Sequence, residues 1–301
     1  MSAATKGAPA GQGATLQEAN ASIRRQHIRH YAVAYGVLIL LALFFIFPIA
    51  FMIAGSFKAD TSVIADSGSL KAFIPEPFVG LENYQQAAER GNFWTSFRNS
   101  AIISAGIVFG GLLINSLFGY ALARVPFRGK GLLLLIVVAL IIVPFETLAV
   151  PLLLIMAELG WTDTLHAQII PFLAQPLYIF LFYSFFLGIP RELEEAAKID
   201  GAGAATTFFR IAAPLAKPAY AAAGILMFLA SWGQYLWPVM VTRSVDARPL
   251  PMGIAEFQGL PPRDWGDIMA YAAMMVIPLL IVFIIFQRQF VRGVATSGLK
   301  G

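Results

Sequence analysis

The 301-residue chain is 58% hydrophobic and only 13% charged, with a mean hydropathy of +0.72 and a net charge of +4. A water-soluble domain carries roughly a quarter charged residues, so this composition excludes a soluble fold. Zero cysteines exclude disulfides and thiolate metal sites, and no basic patch interleaved with aromatics points to nucleic acid.

Residues 1–30 are rich in Ala, Gly and Gln, the composition of a flexible cytoplasmic tail. They do not form a signal peptide: the first apolar run begins at Tyr31, is too long, and closes without an A-x-A site. Six apolar runs follow, Tyr31–Ile53, Ser100–Ala123, Leu132–Met156, Ala167–Ile189, Ala219–Val241 and Ile268–Phe286. Runs of about 20 residues, rising 1.5 Å each, cross a hydrocarbon core of roughly 30 Å. All six are predicted as helices, because lipid offers no partner to an unpaired backbone group. The strict alternation of a membrane barrel is absent. The fold class is therefore all-α integral membrane with six transmembrane helices, and Gly110-Gly111, Pro48, Pro144, Pro151, Pro171 and Pro176 predict close helix contacts and kinks.

The loop Ala54–Asn99 opens with FIPEPFVGLENY, an extended, proline-stiffened piece, and continues as a short amphipathic helix through QQAAERGNFWTSF. It reads either as a cap over the helix ends or as a docking surface for an external partner. Within the third run, IIVPFETLAVP places Glu146 between Pro144 and Pro151. An acid inside a span is costly and marks a functional candidate, and the flanking prolines can open the helix as in broken transporter helices. The alternative is a Glu at the span end reaching water.

The loop over residues 190–217 is too elaborate for a connector. Pro190 suits a first helical turn, and Glu192, Glu194 and Glu195 suit the positive end of a helix dipole. Asp200-Gly201 stops that helix, and a second runs through Ala204–Ala213 until Pro214 ends it. Ala196-Ala197 forms a small-residue shoulder. Replacing Gly201 by Asp is expected to bar the turn and clash at that shoulder. The alternative is a self-contained hairpin packing on its own bundle.

In the fifth run, SWGQYLWP offers flat apolar faces at Trp232, Tyr235 and Trp237, with Gln234 as donor and acceptor. Hydroxyl-rich solutes suit such a mixture. An interfacial aromatic belt also explains Trp and Tyr at a span end, and this reading is favoured for Trp237. Counting sides, fourteen of the 21 Lys and Arg fall with the two termini, residues 124–130 and residues 190–217, against seven on the other side. The positive-inside rule makes the richer side cytoplasmic, both termini included.

No catalytic set is visible. His27 and His30 lie in the tail and His166 on the opposite side, which argues against a shared metal site. A phosphate-binding loop needs G-x-x-x-x-G-K-[ST]; Gly129-Lys130-Gly131 and Gly293–Leu299 both miss it, so ATP-driven work needs another chain.

EAAKIDGA…FFRIAAPLAKP resembles the EAA loop of permease subunits of binding-protein-dependent ABC importers, matching at Glu195, Ala196, Ala197, Asp200, Gly201, Ala202, Ile211 and Pro214. LENY, RNS, YALARVPFRGKG, the Pro144/Pro151 pair and FLFYSFFLGIPRELEEAA resemble maltose-type carbohydrate permeases. The closing TSGLKG is similar to the smaller of the two permeases in such systems. Gly233 departs from the pattern, where such proteins commonly carry Asn after the Trp.

The resemblance covers residues 31–301 as one permease domain with a C-terminal tail at 289–301. It implies a type I importer permease in the bacterial cytoplasmic membrane, carrying a sugar or sugar-like solute. Implied partners are a second permease, a dimeric ABC ATPase, an extracytoplasmic solute-binding protein and membrane lipid. No cofactor is implied on this chain, with ATP and Mg on the partner ATPase. The eight matched residues become ATPase-coupling positions, Ser297, Gly298 and Lys300 a further ATPase contact, and Glu146, Trp232, Gln234 and Tyr235 the candidate solute pathway. A permease for glycerophosphate or a polyol, an independent secondary transporter and a membrane-embedded enzyme are the competing readings.

Overall fold

A computed structural model of the chain describes residues 11–257 and 263–298. Among them, no strand forms beyond one isolated antiparallel bridge between Lys58 and Phe78. The helices are α1 (Gly11–Gly55), α2 (Asp60–Ala65), α3 (Glu82–Arg90), α4 (Phe93–Arg124), α5 (Lys130–Ile142), α6 (Phe145–Glu158), α7 (Leu165–Ile169) and α8 (Pro176–Leu187). They continue as α9 (Arg191–Ile199), α10 (Ala204–Thr207), α11 (Ala213–Leu215), α12 (Lys217–Trp232), α13 (Leu236–Val241), α14 (Leu250–Gly253) and α15 (Trp265–Gly298).

Four stretches are long and apolar enough to cross a membrane, His30–Gly55, Phe93–Arg124, Leu165–Leu187 and Trp265–Gln287. Two bent pairs bring the candidates to six: α5 with α6 at 104°, and Ala204–Leu215 with α12 at 78°. The break between α5 and α6 falls at Val143-Pro144, where proline forces its predecessor out of the helical region; Val143 has ψ 116°. Pro151, by contrast, stays inside α6.

The bundle is centred on α4, which packs along α8 and α12, and α15 packs along α12 and meets α4 where Tyr271 touches Phe93. Gly119 permits the close approach of α4 to α8: a β-carbon there would lie 2.6 Å from Phe182 Cβ and 2.7 Å from the Tyr183 nitrogen. Where the chain between α7 and α8 leaves regular helix, Asn115 of α4 repairs the backbone. Its Nδ2 donates to the Gly111 and Leu173 carbonyls at 2.6 and 2.9 Å, and its Oδ1 accepts from the Gln175 N–H at 2.8 Å. A buried amide can supply the partners that lipid cannot.

Three boundaries differ from the sequence-based reading. α1 begins at Gly11, so residues 11–30 extend the first span as helix. The amphipathic helix stops at Arg90, because Asn92 adopts φ 46°, and Phe93–Phe97 starts α4 instead. Pro214 does not end its helix: α11 continues to Leu215, and a π-turn at Phe208–Ala212 precedes it. A proline ring clashes with the carbonyl four residues back, here that of Arg210, and a wider turn relieves the clash.

Candidate functional site

The 190–217 loop is a folded hairpin. The end of α9 is a Schellman motif: the Gly201 N–H donates to the Lys198 carbonyl at 3.0 Å and the Ala202 N–H to the Ala197 carbonyl at 2.9 Å. Gly201 sits at φ +81° with nothing within 4 Å of a built β-carbon. Its glycine requirement is therefore conformational, and the expected clash at the shoulder is absent within this chain. The two limbs enclose an open groove of about 530 Å³, lined by Ala196, Ala197, Asp200, Gly201, Ala202 and Ile211 among others. Six of the eight motif positions thus converge on one concavity. Glu195 and Pro214 are exposed but do not line it.

Two ties fasten the hairpin to the bundle, and neither was visible in the sequence. Phe208, buried in the π-turn, packs on Tyr120 of α4 and Phe186 of α8, with centroids 5.1 and 6.1 Å away. Arg124, the last residue of α4, donates Nε to the Phe186 carbonyl at 2.9 Å, reaches the Ile189 carbonyl as well, and pairs with Glu194 of α9 at 3.4 Å. The signal for both was polar or aromatic residues at the inner end of an otherwise apolar run.

A second concavity, of about 670 Å³, opens at the break between α5 and α6. Ile107, Phe145 and Met227 wall it, and Gln175, Ser231 and Gln234 supply its polar groups. Of the candidate pathway residues, only Gln234 reaches it. Trp232 is 3% exposed, with Nε1 donating to the Met275 carbonyl at 3.1 Å, and belongs to the core. Tyr235 is 48% exposed and lies outside the lining. Glu146 is exposed in the first turn of α6, where the helix dipole favours a carboxylate. Trp237 overturns the belt assignment: it is wholly buried against Phe145 and Phe172, and Nε1 donates to the Ala167 carbonyl at 2.9 Å. The sequence window showed only that it neighboured a span end, not that α7 returns across it.

The end opposite the hairpin is closed by a cap. Asn83 donates to the Ser56 and Lys58 carbonyls at 2.9 and 2.8 Å. Buried Lys58 reaches Asp66 at 2.5 Å and the Lys71 carbonyl at 2.9 Å. Arg90 bridges Asp264 and Asp267. Burial pushes the Asp60 carboxyl above its ordinary pKa, despite a 2.7 Å bond from the Gly266 N–H. For Asp163, burial alone would raise the pKa, but the Arg243 and Ser244 N–H groups at 2.8 and 2.9 Å outweigh it and hold the carboxyl below its ordinary value. The FIPEPFVG piece is less extended than expected: Phe73 ends a 3-10 turn, the Glu76 N–H bonds back to the Ile74 carbonyl at 2.8 Å, and Gly80 turns at φ 64°. Of the tail positions, Ser297 and Gly298 fall in the last turn of α15, and Lys300 lies outside the described residues. Among the described residues no group of His, Cys, Asp and Glu has the arrangement of a metal site.

A helical membrane bundle with a folded hairpin at one end and a capped far end is the architecture on which the comparisons with known proteins bear. A family profile described as "Binding-protein-dependent transport system inner membrane component" matches residues 95–296, and the chain belongs to that family. It is 38% identical over 257 residues to an arabinooligosaccharides transport system permease protein, AraQ, of Halalkalibacterium halodurans, covering 85% of this chain and 91% of that one. It is 33% identical to the trehalose/maltose transport system permease protein MalG of Thermococcus litoralis, covering 93% of this chain and all of that one. A chain from the crystal structure of a bacterial ABC transporter involved in the import of the acidic polysaccharide alginate superposes with a TM-score of 0.76 at 23% identity, covering 87% of this chain and 97% of that chain. The family match and this shared fold together give the type I importer permease fold.

Proposed function

We propose that the chain is one of two permease subunits of an ATP-driven importer for a sugar or sugar-like solute. The observation that carries this reading is the hairpin: a self-capped, projecting unit whose motif residues converge on a groove instead of packing into the bundle. Ala196, Ala197, Gly201 and Ala202 keep one side of the groove small, so a second protein can approach the backbone there, beside Asp200, Arg210 and Ile211. In this reading the ATPase dimer engages residues 190–217, the tail around Ser297–Lys300 adds contacts, and ATP and Mg are held by the ATPase. Both termini and the hairpin are cytoplasmic, as the excess of Lys and Arg on that side supports. ATPase closure moves the hairpin and swings the spans between inward- and outward-facing states, a switch between two packed arrangements.

The solute assignment draws on the oligosaccharide permeases among the relatives and on the cavity. Amide and hydroxyl groups at Gln175, Ser231 and Gln234, set among apolar walls, match the polar rim and apolar C–H face of a sugar ring. The cap is the surface that meets the solute-binding protein. Purification in mild detergent tests the assembly: an ATPase and a second permease are expected to co-purify, whereas recovery of a lone, transport-competent chain would overturn the reading and favour a secondary transporter.

A further inference from the structure

α4 differs from every other candidate span among the described residues: it contains no proline and no break over 32 residues. α1 contains Pro48, α6 Pro151 and α15 Pro278. The fourth span carries Pro171 and Pro176, and α12 has Pro218 in its first turn. Prolines, glycines and breaks are where helices bend; α4 carries Gly106, Gly110, Gly111 and Gly119 yet runs unbroken, because its glycines are filled by close packing, Gly110 against Leu173 and Gly119 against Phe182. At 1.5 Å per residue it is about 48 Å long, enough to join one face of a membrane to the other.

Its two ends are both fastened to functional surfaces. At the hairpin end, Tyr120 and Arg124 stand one turn apart on the same face. Tyr120 grips the second limb through Phe208, and Arg124 faces buried Glu194 of the first limb at 3.4 Å, a charge pairing without a hydrogen bond. The Arg124 and Glu194 side chains are 5% and 9% exposed. The same guanidinium bonds to the Phe186 and Ile189 carbonyls, so one cation seals the joint where α8 turns into α9. Ion pairs out of water resist separation because each partner would be left uncompensated. At the other end, Asn99 Nδ2 donates to the Asp246 and Arg248 carbonyls at 2.7 and 3.0 Å, and Ser100 Oγ accepts from the Leu250 N–H at 2.8 Å.

We infer that α4 is a transmission rod: the Arg124–Glu194 joint converts displacement of the hairpin into a rigid movement of α4, which carries the cap loop Asp246–Leu250 with it. Arg124 and Glu194 are then positioning residues for transport, acting through α4 and touching neither solute nor nucleotide. This rests on the hairpin being the ATPase-engaging element. It adds a route by which the ATPase state reaches the opposite face along one helix, which also walls the solute cavity at Ile107.

Amide hydrogen exchange on the intact purified complex, with and without MgATP plus orthovanadate, tests it and needs no knowledge of the solute. In the wild type, exchange at both 191–213 and 246–250 changes with nucleotide. In Glu194→Gln the hairpin still responds, while the response at 246–250 falls about tenfold, within the usual range of coupling between sites. Glu194→Asp, which keeps the charge, restores it; a purely structural fault would instead raise exchange equally in both nucleotide states. A cap-loop response in Glu194→Gln equal to wild type overturns the rod. So does a wild type whose hairpin responds while its cap loop does not. A wild-type hairpin silent to nucleotide overturns the coupling reading itself. If Glu194→Gln does not assemble, Asn99→Ala decides at the far end: the rod requires a diminished cap-loop response beside an intact hairpin response, and an undiminished one refutes it.

Discussion

The two ends of the bundle are built from different chemistry. The cap is tied by directional bonds between segments far apart in sequence: Asn83 to Ser56 and Lys58, Asn99 to Asp246 and Arg248, Gln168 to Ala247, and Asp163 to Arg243 and Ser244. The hairpin is held by aromatic packing around Phe208 and by one guanidinium. Losing a bond in the cap strands a buried polar group at about 1–3 kcal/mol, so the cap has one register. Apolar packing has no such directional penalty. The cap is therefore one rigid piece that shifts, if at all, as a whole, and the hairpin is a handle gripped at two points.

The largest test of that contrast is Lys58→Ala. Lys58 is 1% exposed and holds Asp66 and the Lys71 carbonyl. Removing the ammonium strands a carboxylate and a carbonyl, at about 3 kcal/mol, moderated because Asp66 keeps some exposure. The purified complex should melt earlier, and protease should cut first between Ala59 and Phe73. An unchanged melt with no new cleavage would mean that the cap is not locked as described.

The hairpin should behave in the opposite way. Gly201→Ala carries a strain of about 1 kcal/mol for a left-handed residue, confined to the turn because no side chain or backbone lies within reach. The melt of the spans should not change. Asp tolerates that backbone region better than Ala, so strain alone makes Gly201→Asp the milder change. If Gly201→Asp nonetheless reduces nucleotide-dependent exchange more than Gly201→Ala does, the loss comes from whatever enters the groove. The reverse order would leave the hairpin a mere turn.

What the sequence could show follows from the range of each interaction. Hydropathy is local, so the four spans free of a sharp bend were legible, as was the kink before Pro144, which depends on one residue and its neighbour; the fifth run, expected as one span over Ala219–Val241, is instead α12 ending at Trp232 and a separate α13. The Gly201 turn was legible for the same reason. Trp237 was misread because its partner, the Ala167 carbonyl, lies 70 residues away. Arg124 and Glu194 are likewise 70 positions apart, and each reads alone as an ordinary interfacial charge. Pro214 was misread because a π-turn can absorb the ring, an outcome set by the packing of Phe208. Gln234 was legible as a candidate, but its companions Gln175 and Ser231 were not, because the cavity exists only once the α5–α6 break faces α12.

The smallest expected effect sharpens the account of the cap. Asp163 joins the turn after α6 to the loop after α13 through its two backbone donors. Its carboxyl titrates below the ordinary 3.8 in the folded chain, so its contribution is complete above that value and is lost as pH falls through the lowered pKa. Asp60 has the opposite sign: burial raises its pKa, so protonation relieves a cost as pH falls toward it. The two oppose each other in the wild type, and the Asp163 contribution must be read as a difference. Asp163→Asn keeps the oxygen acceptor and suits the φ of 62°, while removing the titration. Melting followed from about pH 5 to about pH 2 should fall less steeply in the variant than in the wild type, by a small margin because the side chain is only half-buried. Parallel curves would show that the latch depends on the shape of the acceptor and not on its charge.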